Sequence, residues 1–132
     1  MSTIFTKIVQ GEIPSYKCAE NDEFYAFLDI NPIKPGHTLV VPKREEDYFF
    51  DLSDDEIGRM QIFAKKVAKA IKAAFPCKKV AQAVIGLEVA HAHIHLVPIE
   101  KEGELFSGQH TELSKEQFEA AAAAILKNFN EN

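Results

Sequence analysis

The stretch His91-Ala92-His93-Ile94-His95-Leu96-Val97 decides both the fold and the site expected in this chain. Its imidazole and apolar side chains alternate with a period of two, which is typical of a β-strand. In a strand, the three histidines lie on one face, about 6.6 Å apart along the backbone, and the apolar residues lie on the other. Because the chain has only five histidines, three on one face indicate a functional cluster.

The segments on either side of this stretch predict an α+β fold, in which an antiparallel sheet carries helices mainly on one face. Alternating or β-branched apolar patterns bounded by turn residues predict five strands. They cover residues 16–20, 23–30, 37–43, 79–85 and 89–99. A short helix is expected over 4–10, and two main helices over 53–75 and 114–129.

The two main helices carry recognisable start signals. Ser53 with Glu56 forms a predicted capping box, and Pro76 ends the apolar three- and four-residue repeat that follows. Ser114 with Gln117 repeats the capping pattern before an alanine-rich run. The lysines of the first helix fall away from its apolar face, so they are read as a solvated surface.

Length and composition indicate a single domain over residues 1–132. The formal net charge of −5 argues against a nucleic-acid partner, which requires a concentrated positive surface. No stretch is typical of a signal peptide or a membrane span, so a cytoplasmic location without membrane contact is expected. Cys18 and Cys77 show no ligand spacing and are expected to be reduced, buried thiols.

The residues alone leave two chemistries open for the histidine row. Two imidazoles on a strand can bind one zinc ion together with a further ligand. Alternatively, neutral imidazole is a nucleophile near pH 7, and a neighbouring histidine can stabilise phosphoryl charge and donate a proton. A purely structural role is less favoured, because burying three titratable rings is costly.

The segment DINPIKPGHTLVVPK, residues 29–43, supplies further candidates. Asp29 ends a predicted strand beside two proline positions, where its carboxylate can accept hydrogen bonds from a ribose diol or cap a turn. His37 opens the next strand and either supports the histidine row or has a structural role.

Four stretches together resemble the histidine triad (HIT) family. They are IFTKIVQGEIP (4–14), FLDINPIKPGHT (27–38), GHTLVVPK (36–43) and HAHIHLVP (91–98). The resemblance covers about residues 3–99, and the alternating histidine motif in this setting is highly specific. Residues 100–132 carry no motif of that kind.

The resemblance implies a homodimer that hydrolyses or transfers nucleotides at the α-phosphate without a metal or other cofactor. His93 would be the nucleophile that forms a nucleotidyl intermediate, flanked by His91 and His95 and supported by His37. Asp29 would bind the ribose. Positions matching the base pocket of the nucleoside phosphoramidase-like branch are Ile4, Phe5, Ile8, Phe27 and Ile30, with Glu88 and Val89 also expected beside the nucleotide. The alternative for the five apolar residues is hydrophobic core.

Two departures from the family pattern bear on metal and substrate. Some members have two cysteines and a histidine as structural zinc ligands where this chain has Thr3, Thr6 and Glu45, so that zinc site is expected to be absent. Leu87 replaces the glutamine that usually precedes the triad, and it cannot donate a side-chain hydrogen bond to a leaving group.

The expected function is therefore nucleotide hydrolysis, with a purine nucleotide or nucleotidyl conjugate as partner. Nucleoside 5′-phosphoramidates are the leading substrates and dinucleoside polyphosphates the second choice. A non-catalytic nucleotide-binding or interaction protein is the alternative of another class, and a histidine-based metal protein is a third. Met60, Phe63 and Val67, together with two sheet edges, motivate the expected dimer.

Overall fold

A computed structural model of the chain describes residues 2–130 and contains a five-stranded antiparallel sheet with the order β1-β2-β3-β5-β4. The strands are β1 (Lys17–Glu20), β2 (Phe24–Leu28), β3 (Thr38–Pro42), β4 (Lys79–Ala83) and β5 (Ile94–Ile99). The helices are α1 (Ile4–Val9), α2 (Asp54–Ala74), α3 (Gly103–Phe106) and α4 (Lys115–Asn128). The predicted α+β class, the antiparallel sheet and the two main helices are confirmed.

Alternation along the central strands places a core on each face of the sheet. On one face, Val40 of β3 contributes to the main core, which contains the buried faces of α2 and α4. On the other face, Leu39 and Val41 join Phe27 and Phe5 in a smaller cluster under α1. The long helices therefore cover one face, and the short α1 covers part of the face that carries the histidines.

Both predicted capping boxes are present. The Ser53 hydroxyl accepts a hydrogen bond from the Glu56 N–H at 3.1 Å, and the Ser53 N–H donates to the Glu56 carboxylate at 3.3 Å. Ser114 and Gln117 make the same reciprocal pair at 3.1 and 2.8 Å. Each box satisfies backbone donors that a helix N-terminus otherwise leaves unpaired, which explains why both helices start where the sequence predicts.

The burial of α2 changes the basis for the predicted dimer. Met60, Phe63 and Val67 are buried in the main core of a single chain, so they are not available as an interface. On the solvent side of α2, the large apolar side chain is that of Ile62, which is 58% exposed. The dimer stays a prediction that rests on the two sheet edges, β1 and β4, and on the family resemblance.

The strand that carries the histidines is shorter than the predicted 89–99. The hydrogen bonds that join β5 to its neighbouring strands begin only at Ile94, because the backbone N–H groups of the residues before it donate to carbonyls outside the sheet. The His91 N–H donates to the Val89 carbonyl in a tight turn, and the Ala92 N–H donates to Glu46, beyond the end of β3. The histidine stretch thus enters the sheet from a loop, which gives His91 and His93 different surroundings from His95.

The remaining features of the fold are a short helix, the two cysteines and the character of the helices. The sequence patterns missed α3, which has only four residues and follows β5. Both cysteines are free, but only Cys18 is fully buried, and burial raises the pKa of its thiol to about 12. Within residues 2–130, no helix is long and apolar enough to cross a membrane.

Candidate active site

The histidine stretch keeps its predicted alternation, although only part of it is in the sheet. Ala92, Ile94 and Leu96 are buried in the main core. On the opposite side, the ring centroids of His93 and His95 are 4.8 Å apart. The Phe5 ring lies edge-on to His93 at 5.0 Å. The imidazoles of His93 and His95 therefore lie side by side, near the N-terminal end of α1.

A backbone hydrogen bond fixes the tautomer of His93. Its Nδ1 lies 2.7 Å from the carbonyl oxygen of His91. A carbonyl only accepts, so Nδ1 carries a proton, and in the neutral ring Nε2 keeps a lone pair. The His93 side chain is nearly buried, but its ring lines a pocket. This is the protonation pattern that a nucleophilic imidazole requires.

A second chain of hydrogen bonds fixes His37 and His95. The Ile33 N–H donates to His37 Nδ1 at 3.0 Å, so neutral His37 carries its proton on Nε2. Burial lowers the pKa of His37 to about 4, which keeps the ring neutral at pH 7. His37 Nε2 lies 3.0 Å from His95 Nδ1, which must accept. The proton of neutral His95 is consequently on Nε2.

His91 differs from the other two members of the row. It is completely buried, its Nε2 donates to the Pro42 carbonyl at 2.9 Å, and its Nδ1 accepts from the Thr3 hydroxyl at 2.7 Å. Both ring nitrogens are occupied, and the residue does not line the pocket. That His91 flanks the phosphate stays a prediction, and in this arrangement its ring bonds to the protein on both sides. Its backbone carbonyl accepts the hydrogen bond from His93 Nδ1.

The residues that replace the zinc ligands of some family members form a polar cluster beside His91. One carboxylate oxygen of Glu45 accepts from the Thr3 N–H at 2.7 Å and from the Thr6 hydroxyl at 2.5 Å. These hydrogen bonds, the one from Thr6 first, lower the pKa of Glu45. Protonated hydroxyls are not the thiolate and imidazole ligands that structural zinc requires. The residues present do not fit that zinc site.

Asp29, His37 and His95 form another potential metal-binding group, since their ligand atoms all lie within 4.8 Å of one another. A metal ion needs a lone pair from each ligand. In neutral His37, the nitrogen that faces this group carries the proton, because Nδ1 already accepts from Ile33. The hydrogen bonds thus favour imidazole chemistry over a metal, which the sequence alone left open.

Asp29 lies where the histidines meet the pocket. One carboxylate oxygen accepts from the Asn31 N–H at 2.8 Å, and the other lies 3.6 Å from His37 Nε2. The side chain is partly exposed and lines the pocket. The second oxygen therefore has acceptor capacity available to a ligand.

The pocket beside His93 has a volume of about 500 Å³ and lies between α1, β2 and the loop before the histidines. All the predicted binding residues line it, namely Ile4, Phe5, Ile8, Phe27, Asp29, Ile30, Glu88 and Val89. Ile4 and Ile30 are 49% and 77% exposed, so the core interpretation is wrong for these two. Phe5 and Phe27 are buried and also belong to the smaller core. Exposed apolar side chains at a concave surface are typical of ligand sites.

Sequence reasoning missed several other lining residues. They are Ile13, Pro14, Ser15, Leu28, Leu39, Ile85, Gly86 and Leu87. Ile85 and Leu87 had a usable signal, because two large apolar residues in a loop around a glycine have no strand or helix face to bury them. Leu28 and Leu39 come together through the antiparallel pairing of β2 and β3.

The site combines His93, which in its neutral form has a free Nε2, with His95, whose Nε2–H can donate, and with an adjoining apolar pocket. In an α+β fold, these features define a protein of the histidine triad class. The comparisons with known proteins agree, since the profile of the HIT domain matches residues 10–102. The chain belongs to the HIT family.

Individual relatives and structures give the extent of the similarity. An uncharacterized HIT-like protein of Borreliella burgdorferi is 35% identical, over 95% of this chain and 96% of that protein. The adenosine 5′-monophosphoramidase of Saccharomyces cerevisiae is 40% identical, over 72% of this chain and 61% of the yeast protein. The crystal structure of a HIT-like protein of Bartonella henselae superposes with a TM-score of 0.83 at 29% identity, covering 97% of each chain.

Proposed function

We propose that this protein hydrolyses nucleoside 5′-phosphoramidates, or transfers their nucleotidyl group, at the α-phosphate. The observation that carries the proposal is the tautomer of His93: the proton on Nδ1 is held by the His91 carbonyl, so in the neutral ring the lone pair is on Nε2, and the ring lines the pocket. The similarity to the yeast adenosine 5′-monophosphoramidase supports the same reaction class.

The pocket accounts for the nucleoside part of the substrate. Its volume of about 500 Å³ falls within the range typical of small-molecule sites. The base packs between Ile4, Phe5 and Ile30, whose apolar surfaces gain from leaving water. The ribose hydroxyls donate to the available oxygen of Asp29, which places the α-phosphate over His93 and His95.

In the first step, His93 Nε2 attacks phosphorus while the bond from phosphorus to the amine nitrogen breaks. The proton on His95 Nε2 passes to the departing nitrogen, which leaves as a neutral amine, and the His95 ring is left with a negative charge that the hydrogen bond from His37 stabilises. The His37 Nε2–H donates to His95 Nδ1 and keeps this ring oriented. The product on the enzyme is a nucleotidyl group bonded to His93.

In the second step, water attacks the same phosphorus and the bond to His93 Nε2 breaks. His95 Nε2, now unprotonated, accepts a proton from this water, which restores the starting tautomer. The products are the nucleoside monophosphate and the free amine. No step requires a metal: the positive charge that develops on His93 is offset by the phosphate, and the negative charge on His95 is removed when this ring accepts the proton from water.

Dinucleoside polyphosphates remain the second candidate substrates, and a non-catalytic nucleotide-binding protein remains the alternative. The test is to incubate purified protein separately with adenosine 5′-phosphoramidate and with a diadenosine polyphosphate and to compare the rates of AMP release. Faster release from the phosphoramidate supports the proposal. Faster release from the dinucleotide favours the second substrate class, and release from neither, with retained AMP binding, favours the non-catalytic alternative.

A further inference from the structure

A second cavity adjoins the nucleoside pocket. Its volume is about 230 Å³, and it shares Asp29, Ile85, Glu88 and His95 with the larger pocket but not His93. The two cavities therefore meet along these four residues, and His95 is the member of the histidine row among them. Whatever occupies the smaller one lies next to the proton donor of the proposed reaction and away from its nucleophile.

Residues after the histidine row build the outer wall of this cavity. Leu105 and Phe106 of α3 line it, and Phe106 is 81% exposed. His110, the fifth histidine of the chain, also lines it. An aromatic side chain that remains exposed beside a cavity gains buried area when a ligand covers it.

This wall is held in place by hydrogen bonds to the loop that follows Asp29. His110 Nδ1 donates to the Asn31 carbonyl at 2.7 Å, and the Thr111 N–H donates to the Pro32 carbonyl at 2.7 Å. Lys34 forms an ion pair with Glu104 of α3 at 2.7 Å. The cavity is thus preformed between two segments that are anchored to each other.

In-line displacement decides which part of a substrate this cavity receives. The leaving group departs on the side of phosphorus opposite the attacking atom. With His93 Nε2 attacking from the nucleoside pocket, the leaving group departs past His95, whose Nε2–H protonates it. The smaller cavity borders His95, the histidine of the row that it shares with the larger one, so a group that departs past His95 can enter it.

The charges of the lining residues indicate the chemistry of the leaving group. Asp29 and Glu88 contribute carboxylates, and among residues 2–130 no lysine or arginine lines this cavity. A leaving group that carries phosphates or a carboxylate would be repelled. A ring-sized apolar body fits, since an apolar cavity of roughly 150 Å³ already accommodates benzene.

We propose that this cavity, lined by Phe106 and His110, is the leaving-group subsite, and that it selects 5′-phosphoramidates of amines with an aromatic body. The inference rests on the proposed function, because it assumes attack by His93. It goes further by naming the amine and by assigning a role to α3, which the family motifs do not cover.

The first test compares two substrates in three proteins. The substrates are adenosine 5′-(N-benzyl)phosphoramidate and the unsubstituted 5′-phosphoramidate, and the proteins are the wild type, Phe106→Ala and the control Phe50→Ala. Phe50 is also largely exposed but does not line either cavity. Phe106→Ala should lower the ratio of kcat/KM for benzyl over unsubstituted substrate by about two- to tenfold, the range that an aromatic pair contributes. Phe50→Ala should leave the ratio as in the wild type.

The second test measures binding without turnover. Calorimetric titration of the benzyl substrate into His93→Ala and into His93→Ala/Phe106→Ala should show weaker binding to the double variant by a similar factor. An unchanged ratio in the first test, or equal binding in the second, overturns the subsite. If the wild type cleaves neither substrate but Phe106 still contributes to binding, the subsite stands and the proposed hydrolysis fails.

Discussion

His37 Nε2 lies 3.0 Å from His95 Nδ1, and the backbone N–H of Ile33 occupies the other nitrogen of His37. A single backbone donor therefore sets the tautomer of two rings in succession. It leaves His95 with its proton on the nitrogen that a phosphate or leaving group can reach. This relationship makes the protonation state of His37 important for both stability and activity.

Acidification should destabilise the protein through His37. Its pKa is about 4 in the folded chain, lowered by burial from the ordinary 6.5. The unfolded chain binds the proton first, so the stabilisation is fully present above about pH 6.5 and is lost as the pH falls to about 4. The loss amounts to about 3 kcal/mol, at about 1.4 kcal/mol for each pKa unit.

Urea unfolding at pH 7 and pH 4.5 measures this loss, with His37→Asn as the comparison. The variant keeps a side-chain acceptor but does not titrate, so its free energy of unfolding should fall less over the same interval. The carboxylates of Glu56 and Glu104, with pKa values of about 2 owing first to hydrogen bonds from Arg44 and Lys34, lose their contribution at lower pH. An identical pH dependence in wild type and variant would contradict the assignment.

The substitution Thr3→Val should be more damaging than Thr6→Val. Thr3 donates to the buried Nδ1 of His91, and losing that bond leaves a buried acceptor unsatisfied, at a cost of about 1 to 3 kcal/mol. Thr6 donates to Glu45, an exposed carboxylate that water can solvate instead. Chemical denaturation gives both losses, and kcat should follow the same order because His91 positions His93. Equal effects of the two substitutions would argue against this role of Thr3.

Replacing Asp29 with Asn should weaken ribonucleotides selectively. A charged hydrogen bond contributes about 1.5 to 3 kcal/mol, so KM for the ribonucleotide substrate should rise roughly tenfold or more. The 2′,3′-dideoxy analogue cannot make these bonds and should be affected little. Asp51→Asn, an exposed carboxylate outside the pocket, serves as the matched control. Equal losses for both sugars would remove Asp29 from ribose binding.

Activity should survive metal removal. The nitrogen of neutral His37 that faces Asp29 and His95 carries a proton, the lone pair of His91 Nδ1 accepts from the Thr3 hydroxyl, and Thr3 and Thr6 are not zinc ligands. Hydrolysis rates before and after exhaustive chelation, together with elemental analysis, check this. Stoichiometric zinc, with activity lost on chelation and restored by zinc, would favour the metal-protein alternative.

The sequence predicted those features that depend on local pattern. Period-two alternation identified the two faces of the histidine stretch, and capping residues located the starts of α2 and α4. These signals are strong because each reflects a backbone geometry that a few neighbouring residues determine. The same reasoning identified Asp29 and His37 as neighbours of the triad only with help from the family resemblance.

Features that depend on distant partners were not predictable. Strand β5 begins at Ile94 because Ala92 bonds to Glu46, which is far away in the sequence. His91 is enclosed by Pro42 and Thr3, so its separation from the pocket has no signature in the triad itself. Helix α3 was missed because four residues are too few to show a helical repeat, and its Glu104 pairs with Lys34, which is far away in the sequence.

The role of His93 is the central claim and can be tested by trapping its intermediate. During turnover of adenosine 5′-phosphoramidate with a radiolabelled α-phosphate, rapid quenching should leave label on the wild-type protein that is labile in acid and stable in base. His93→Ala should carry no label and lose nearly all turnover. His95→Ala should lose only about 10²- to 10⁴-fold, the contribution of a general acid. An unlabelled wild type, together with near-normal turnover by His93→Ala, would contradict the account and favour direct attack by water.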